Sequence, residues 1–306
     1  MTDSYKVRLP ASTSNLGPGF DCFGLALKLN LTIAAKAKPK SKEECKVKTT
    51  GAKENQALPH NATNLIYRAM SYVAKAEGFE LPRVELSVHN EIPLASGLGS
   101  SAAAIVGGIK LAGLVGQREL SDQTIQNYAT KFEGHPDNVA ASLLGGFVAS
   151  CVKESGEVVS ARFEWPSTVR VVVVSPLAQL PTHVARAALP KSVTRADAVY
   201  NLQRASLFTA AVAQGRFELF WDAMHDRLHQ PKRKSLVPGL AEVLALPREP
   251  GLLGLALSGA GPSVLALVDD RDVAIGRNIA KCFSKHSIRS KVRVLEVDSA
   301  GCQVME

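Results

Sequence analysis

The feature that most narrows the folds open to this chain is a glycine-rich turn feeding directly into a helix of very small residues. It reads Glu91-Ile92-Pro93-Leu94-Ala95-Ser96-Gly97-Leu98-Gly99-Ser100-Ser101-Ala102-Ala103. Gly97 and Gly99 permit backbone angles closed to other residues and let a ligand approach the main chain. Ser100 and Ser101 add hydroxyls, and the helix behind them presents its positive N-terminus. Ala102, Ala103, Ala104, Gly107 and Gly108 suit a helix held close against its neighbours. Together the segment has the makings of a triphosphate cradle. It is not a conventional P-loop, because no Lys-Ser/Thr pair follows the glycines. Gly97-x-Gly99-x-x-Ala102 imitates a dinucleotide fingerprint, but that motif needs its first glycine almost directly after a strand. An ordinary turn with a good helix cap is the competing structural reading.

At 306 residues the chain is long for one domain and suits two. Strands are predicted at Tyr5–Leu9 and Ala26–Ala37, Val84–Val88, a hairpin of Gly145–Val152 and Val158–Phe163, and Val169–Val174. Leu255–Leu257, Val264–Val268 and a closing strand, Val292–Val297, complete the set. Helical periodicity covers Asn64–Ala76, Ser100–Leu114, Ser121–Phe132, Ala196–Ala213, Phe217–His229 and Val273–Lys285. Strands and helices mix without strict βαβ alternation, so the expected class is α+β. Trp165-Pro166-Ser167 breaks the pattern and sets the expected boundary, giving domains 1–165 and 166–306.

Two further glycine clusters accompany the first. Pro10-Ala11-Ser12-Thr13-Ser14-Asn15-Leu16-Gly17-Pro18-Gly19-Phe20-Asp21 stands near the start, and Leu257-Ser258-Gly259-Ala260-Gly261-Pro262-Ser263 near the end. This three-part order resembles the galactokinase, homoserine kinase, mevalonate kinase and phosphomevalonate kinase (GHMP) superfamily over nearly the whole chain. Ser14-Asn15-Leu16-Gly17 through Asp21-Cys22-Phe23-Gly24, and Glu133-Gly134-His135-Pro136-Asp137-Asn138 with Gly145-Gly146-Phe147, are most similar to homoserine kinases.

The resemblance implies a two-lobed GHMP kinase fold, with an N-terminal lobe like ribosomal protein S5 domain 2 and a ferredoxin-like C-terminal lobe. It implies transfer of phosphate from ATP to L-homoserine, with Mg²⁺ as cofactor, in threonine biosynthesis. A zwitterionic alcohol needs an acid for its ammonium and arginines for its carboxylate. The resemblance offers Asp21, helped by Asn15, for the first, and Arg186 and Arg233 for the second. Thr182 and Gly259 would line the pocket, and Asn138, Glu133 and His135 would carry the catalytic roles, Asn138 and His135 near the hydroxyl. For ATP it implies Asn64 near the adenine and Glu91 to Ser101 around the phosphates, with Ser101 and Glu133 on Mg²⁺. Direct in-line attack follows from a loose transition state governed by positioning and charge. Asp137 is an available but unfavoured base. A related kinase for another alcohol such as mevalonate, and a member that only binds ligand, are the alternatives.

The net charge of +8 is spread along the chain, and aromatic residues are few, so nucleic acid is not expected as a partner. No run of 18 apolar residues occurs, so no membrane association is expected. Five scattered cysteines argue for a reducing compartment, and the cytoplasm is the expected location. A second copy of the chain, giving a homodimer, stays open as a partner. His225 and His229 are spaced i, i+4, but without a HExxH glutamate they read as residues of a surface helix. His60 and His89 are isolated, and Ser12, Ser14 and Ser263 have no GxSxG context.

Overall fold

The computed structural model describes residues 4–51, 53–269 and 272–305. The first half is built on a seven-stranded sheet. Its elements run β1 (Ser4–Asn15), β2 (Gly19–Ala37), β3 (Cys45–Gly51), α1 (Leu65–Ala76), β4 (Val84–Asn90), α2 (Ser100–Val115), α3 (Asp122–Glu133), α4 (Asp137–Leu144), β5 (Phe147–Val152) and β6 (Val158–Phe163). The second half contributes β7 (Arg170–Pro176), α5 (Thr182–Ala187), α6 (Arg195–Gln214), α7 (Phe220–Ala223), α8 (Gln230–Arg233), α9 (Leu240–Leu244), β8 (Leu252–Leu257), β9 (Val264–Val268), α10 (Asp272–Ser284), β10 (Ser290–Leu295) and β11 (Gln303–Met305).

In the first sheet the order is β11-β1-β2-β4-β3, with β5 on β2 and β6 on β5. β3 and β4 pair in parallel, which α1 makes possible by carrying the chain back between them. The second sheet, β10-β7-β9-β8, is antiparallel throughout. Its β7-helices-β8-β9-α10-β10 connectivity is the split βαβ plan expected of a ferredoxin-like lobe.

Local chemistry fixes the helix ends. Asn64 accepts from the Ile66 amide, Ser121 from Thr124 and Thr194 from Asp197, each satisfying an orphan N–H at a helix start. Left-handed Gly134 and Gly215 close α3 and α6. The small residues of α2 do what their size allows. A Cβ on Gly107 would strike the Leu9 and Ile33 side chains, and one on Gly108 the Ile66 carbonyl. This helix therefore lies unusually close to both the sheet and α1.

The larger core runs from the first sheet into the second half without interruption, joining Leu9, Ile33 and Ile109 to Val171, Val173 and Phe208. At the join, Phe147 packs on Phe208 at 5.4 Å and Phe208 on Phe220 at 4.8 Å. A smaller core lies between β7–β9 and α9–α10.

Several elements depart from the sequence reading. β1 and β2 extend almost to the glycine turn, because backbone irregularities at Pro10/Ala11 and Ser14/Asn15 let the pairing continue past residues that break simple alternation. β3, α4 and α5 were not expected. The chain does not end on Val292–Val297: it passes back over the first sheet, with Lys28 donating to the Glu296 carbonyl and Asp298 to that of Ala26, and β11 pairs with β1. Phe217–His229 is not one helix. The Asp226 carboxylate accepts from the Leu228, His229 and Gln230 amides, a side-chain alternative that outcompetes the helical ladder.

Candidate active site

The three glycine segments meet at one cavity. The Ser12 amide donates to the Leu98 carbonyl at 3.1 Å, that of Ser263 to Ser96 at 3.2 Å, and that of Gly259 to Ser14 at 3.1 Å. Buried hydroxyls complete the junction: Thr13 Oγ1 lies 2.8 Å from Ser258 Oγ, which is 2.7 Å from the Gly97 carbonyl. Gly97, at φ +80°, has no room for a Cβ, which would strike the Ser258 carbonyl; at Gly99, φ +68°, it would strike Ser12 Oγ. Both glycines are thus required by conformation and by contact.

α2 begins at the cavity wall. Its N-cap, Gly99, has no side chain with which to satisfy the first amides, so they remain available to an anion on the helix axis. Ser96 to Ser101, with Pro93 and Ala95, line the cavity. Ser101 Oγ donates to Glu133 Oε2 at 2.8 Å. A more apolar hollow adjoins, lined by Leu31, Leu58, Asn64, Val88, Leu94 and Ala104 among others. Asn64 faces it with its polar atoms already engaged: Oδ1 caps α1 and Nδ2 donates to the Pro59 carbonyl. Glu91 and Ile92 belong to the loop without lining either hollow. The Glu91 carboxylate accepts from the Asn30 amide, and Ile92 is fully buried in the core.

Charged residues line the same cavity. Asp21 and Arg186 form a two-pronged ion pair, Nη2–Oδ1 at 2.6 Å and Nη1–Oδ2 at 3.1 Å. Burial pulls the Arg186 pKa down, but the Asp21 bond and charge outweigh it and leave it above the ordinary value. Asn15 accepts from the Asp21 amide and donates to the Gly259 carbonyl, tying the first motif to the third. Asn15, Leu16 and Asp21 all have positive φ, at 69°, 44° and 55°, a strained turn held by its surroundings. Arg233 is 1% exposed. Its Nε donates to the Ala185 carbonyl and its Nη1 to that of Gly259. Burial, followed by the neighbouring Arg186, depresses its pKa to about 10. The Phe20 ring lies 5.6 Å from both guanidinium carbons, within reach of a cation–π contact. Thr182, at the start of α5, and Gly259 complete this wall.

The floor is a hydrogen-bonded row on the entry to α4. His135 Nδ1 lies 2.5 Å from Asp137 Oδ1. Burial would lower the His135 pKa, yet the Asp137 bond and charge carry it above the ordinary value. Burial alone would raise that of fully buried Asp137, but His135 and the Asn138 amide hold it below the usual carboxylate range. Asn138 accepts from Ser12 Oγ at 2.9 Å and donates to Ser14 Oγ at 2.9 Å. Ligand atoms of Asp21, His135 and Asp137 all lie within 4.8 Å of one another.

Every residue singled out for the substrate or for catalysis therefore borders one cavity: Asn15, Asp21, Thr182, Arg186, Arg233, Gly259, Glu133, His135 and Asn138. The sequence reading passed over Phe20 and Ser14, which also line it. It also misjudged His229, which is not on a surface helix but fully buried, with Nε2 2.8 Å from the Gly17 carbonyl. The one available signal was its position four residues before Arg233. His225, His60 and His89 are exposed, and His60 Nδ1 lies 3.1 Å from the Val47 carbonyl.

Residues 64–146 match the model of the GHMP kinases N terminal domain, and residues 208–285 that of the GHMP kinases C terminal domain. A homoserine kinase of Desulfitobacterium hafniense is 40% identical over 301 residues, covering 98% of this chain and 99% of that protein. One of Moorella thermoacetica is 41% identical over 299 residues, with 98% and 99% covered. The crystal structure of homoserine kinase from Cytophaga hutchinsonii superposes with a TM-score of 0.86 at 28% identity, covering 100% of this chain and 98% of that one. With two-fifths of the residues shared along the full length of both proteins, the chain belongs to the homoserine kinases of the GHMP kinase family.

Proposed function

We propose that this protein transfers the γ-phosphoryl group of ATP to the side-chain hydroxyl of L-homoserine, giving ADP and O-phospho-L-homoserine, a step toward threonine. The observation that carries the reading is the placement of Asp21, Arg186 and Arg233 around the same cavity as the uncapped N-terminus of α2. The helix end and the Ser96–Ser101 loop suit the phosphates, and the apolar hollow beside Asn64 suits the adenine. The Asp21 carboxylate faces the ammonium, and the two arginines hold the carboxylate through charge-assisted bonds.

The transfer is direct. A loose phosphoryl transition state asks for alignment and neutralised charge rather than covalent help. Asn138, fixed by Ser12 and Ser14, and His135, fixed by Asp137, orient the hydroxyl toward the phosphate. Asp137 is a poor base, because its Oδ1 already accepts from His135 and Asn138 and its proton affinity is low. Ser101 and Glu133 offer adjacent hard oxygens at the phosphate loop, the donor set Mg²⁺ takes when it keeps most of its water. Bound there, the ion would neutralise charge on the phosphates. Among the described residues no helix is long and apolar enough to cross a membrane, and the reading takes the cytoplasm as the location.

The test is coupled ADP release with homoserine, serine, threonine, mevalonate and galactose as acceptors. Homoserine should give the highest kcat/KM. Preference for mevalonate, or nucleotide binding with no turnover of any acceptor, would overturn the assignment.

A further inference from the structure

His229 is a fully buried histidine that touches neither cavity, yet it is bonded on both ring nitrogens. Nε2 lies 2.8 Å from the Gly17 carbonyl. A carbonyl can only accept, so Nε2 carries the proton. Nδ1 lies 3.3 Å from Nη1 of Arg233, a group that can only donate, so Nδ1 offers its lone pair. Both contacts are satisfied by a single species, the neutral Nε2–H tautomer.

The surroundings hold that species in place. Asp226 Oδ2 stands 3.6 Å from Nε2, itself fixed by the backbone amides of His229 and Gln230, while Asp226 Oδ1 accepts from Asn201 Nδ2. The Phe20 ring packs 5.4 Å from the imidazole. Burial, against the opposing charge of Asp226 and with that of Arg233, keeps the His229 pKa below its ordinary value.

We infer that His229 is a positioning residue, which as a neutral acceptor aims the Arg233 guanidinium at the substrate carboxylate and ties it to the Gly17 turn carrying Asp21. Arg233 has two further anchors, the carbonyls of Ala185 and Gly259, both on the C-terminal half. Two routes join it to the β1–β2 turn: the Gly259 carbonyl, which also accepts from Asn15, and the His229 ring, which bonds Arg233 on one nitrogen and the Gly17 carbonyl on the other. The two charged ends of the substrate site, on β2 and on α8, are thereby held at one spacing. The inference rests on the functional reading above.

The experiment compares steady-state kinetics of the native enzyme, His229→Gln and His229→Asn. In Gln the amide reaches the Gly17 carbonyl but leaves Arg233 without its acceptor. In Asn the Oδ1 falls near the former Nδ1 and keeps it. Expected is a rise in KM for homoserine of about 10-fold in H229Q, the loss of one bond to a charged group, with kcat and KM for ATP within about two-fold of native. H229N should retain most of the native KM for homoserine. If H229Q does not fold, H229N carries the test on its own, by a homoserine KM within about three-fold of native. Equal shifts in homoserine KM, ATP KM and kcat, or an H229N as impaired as H229Q, would overturn the inference and leave the activity standing. Absence of homoserine turnover in the native enzyme would remove both.

Discussion

Replacing Asp21 by Asn tests the charge logic of the pocket most directly. In the structure Asp21 is bound two-pronged to Arg186, with the two side chains 32% and 37% exposed. A partly solvated pair of this kind adds about 1 kcal/mol or less to folding. At roughly 2–4 °C per kcal/mol in a chain beyond 150 residues, the melting temperature should fall by no more than a few degrees. Catalysis should suffer far more. A charge-assisted bond to the substrate ammonium is worth about 1.5–3 kcal/mol, which predicts a fall in kcat/KM for homoserine of about 10- to 150-fold. The same change should act oppositely on 4-hydroxybutyrate, which is homoserine without its amine. In the native protein that compound must compete with Asp21 for Arg186, whereas in D21N the guanidinium is free. Its inhibition constant, measured against homoserine by ADP release, should therefore stay level or improve. A homoserine kcat/KM within about three-fold of native, or parallel losses for both compounds, would show that Asp21 does not face the ammonium.

Gly97→Ala should raise the ATP KM by at least about ten-fold, because the left-handed angle alone costs about 1–2 kcal/mol and the Ser258 carbonyl beside it is main chain; an unchanged ATP KM would refute the cradle. Glu133→Gln should shift the half-saturating Mg²⁺ concentration upward by about ten-fold without moving the homoserine KM, read by ADP release across a Mg²⁺ titration. Asp137→Asn should lower thermal stability in a pH-dependent way. His135 titrates above its ordinary 6.5, so its share is complete below that pH and drains away as pH rises through the raised value. Asp137 titrates below 3.8, so its share is complete above 3.8 and is lost as pH falls through the depressed value. The melting-temperature gap between native and D137N should thus be widest between about pH 4 and 6.5 and narrower at about pH 9, and a gap independent of pH would contradict the paired charges. D137N should keep most activity, and a loss above about 10⁴-fold in kcat would restore Asp137 as the base.

What could be read from the sequence follows from what each residue type is needed for. Glycines with no room for a Cβ, as Gly97 against the Ser258 carbonyl and Gly99 against Ser12 Oγ, have no substitute, so the loop announces itself. The charges proposed for a zwitterion are equally plain once three ordered motifs set the frame, and Asp21, Arg186 and Arg233 converge on one cavity. The misses have a different origin. α4 is eight residues long and begins on Pro136 with no side-chain cap, so only Asp137 in its first turn and Gly145 at its end mark it. β11 is three residues of edge pairing, visible only once the chain has returned to β1. The break at Phe217–His229 turns on Asp226 choosing three backbone amides over the solvent, a choice that helical periodicity cannot register. Glu91 and Ile92 sit in the right segment but face away, because Asn90 accepts from the Ile92 amide and donates to its carbonyl and so turns the strand end inward.

The burial of Arg233 explains why these separate segments act as one site. A guanidinium withdrawn from water is costly unless its donors are met. Here Nε and Nη1 are met by groups drawn from three parts of the chain: the Ala185 carbonyl of α5, the Gly259 carbonyl of the third motif, and the His229 imidazole, which reaches on to Gly17. Gly259 in turn accepts from Asn15, whose Oδ1 holds the Asp21 amide. Any displacement of one half against the other leaves a buried charge or a buried carbonyl without its partner, so the spacing between Asp21 and Arg233 is fixed before substrate arrives. What remains adjustable is the Asp21–Arg186 pair, a third exposed and facing the cavity. In the proposed complex the two charges of homoserine exchange with that pair one for one, as an alcohol with a single charge could not.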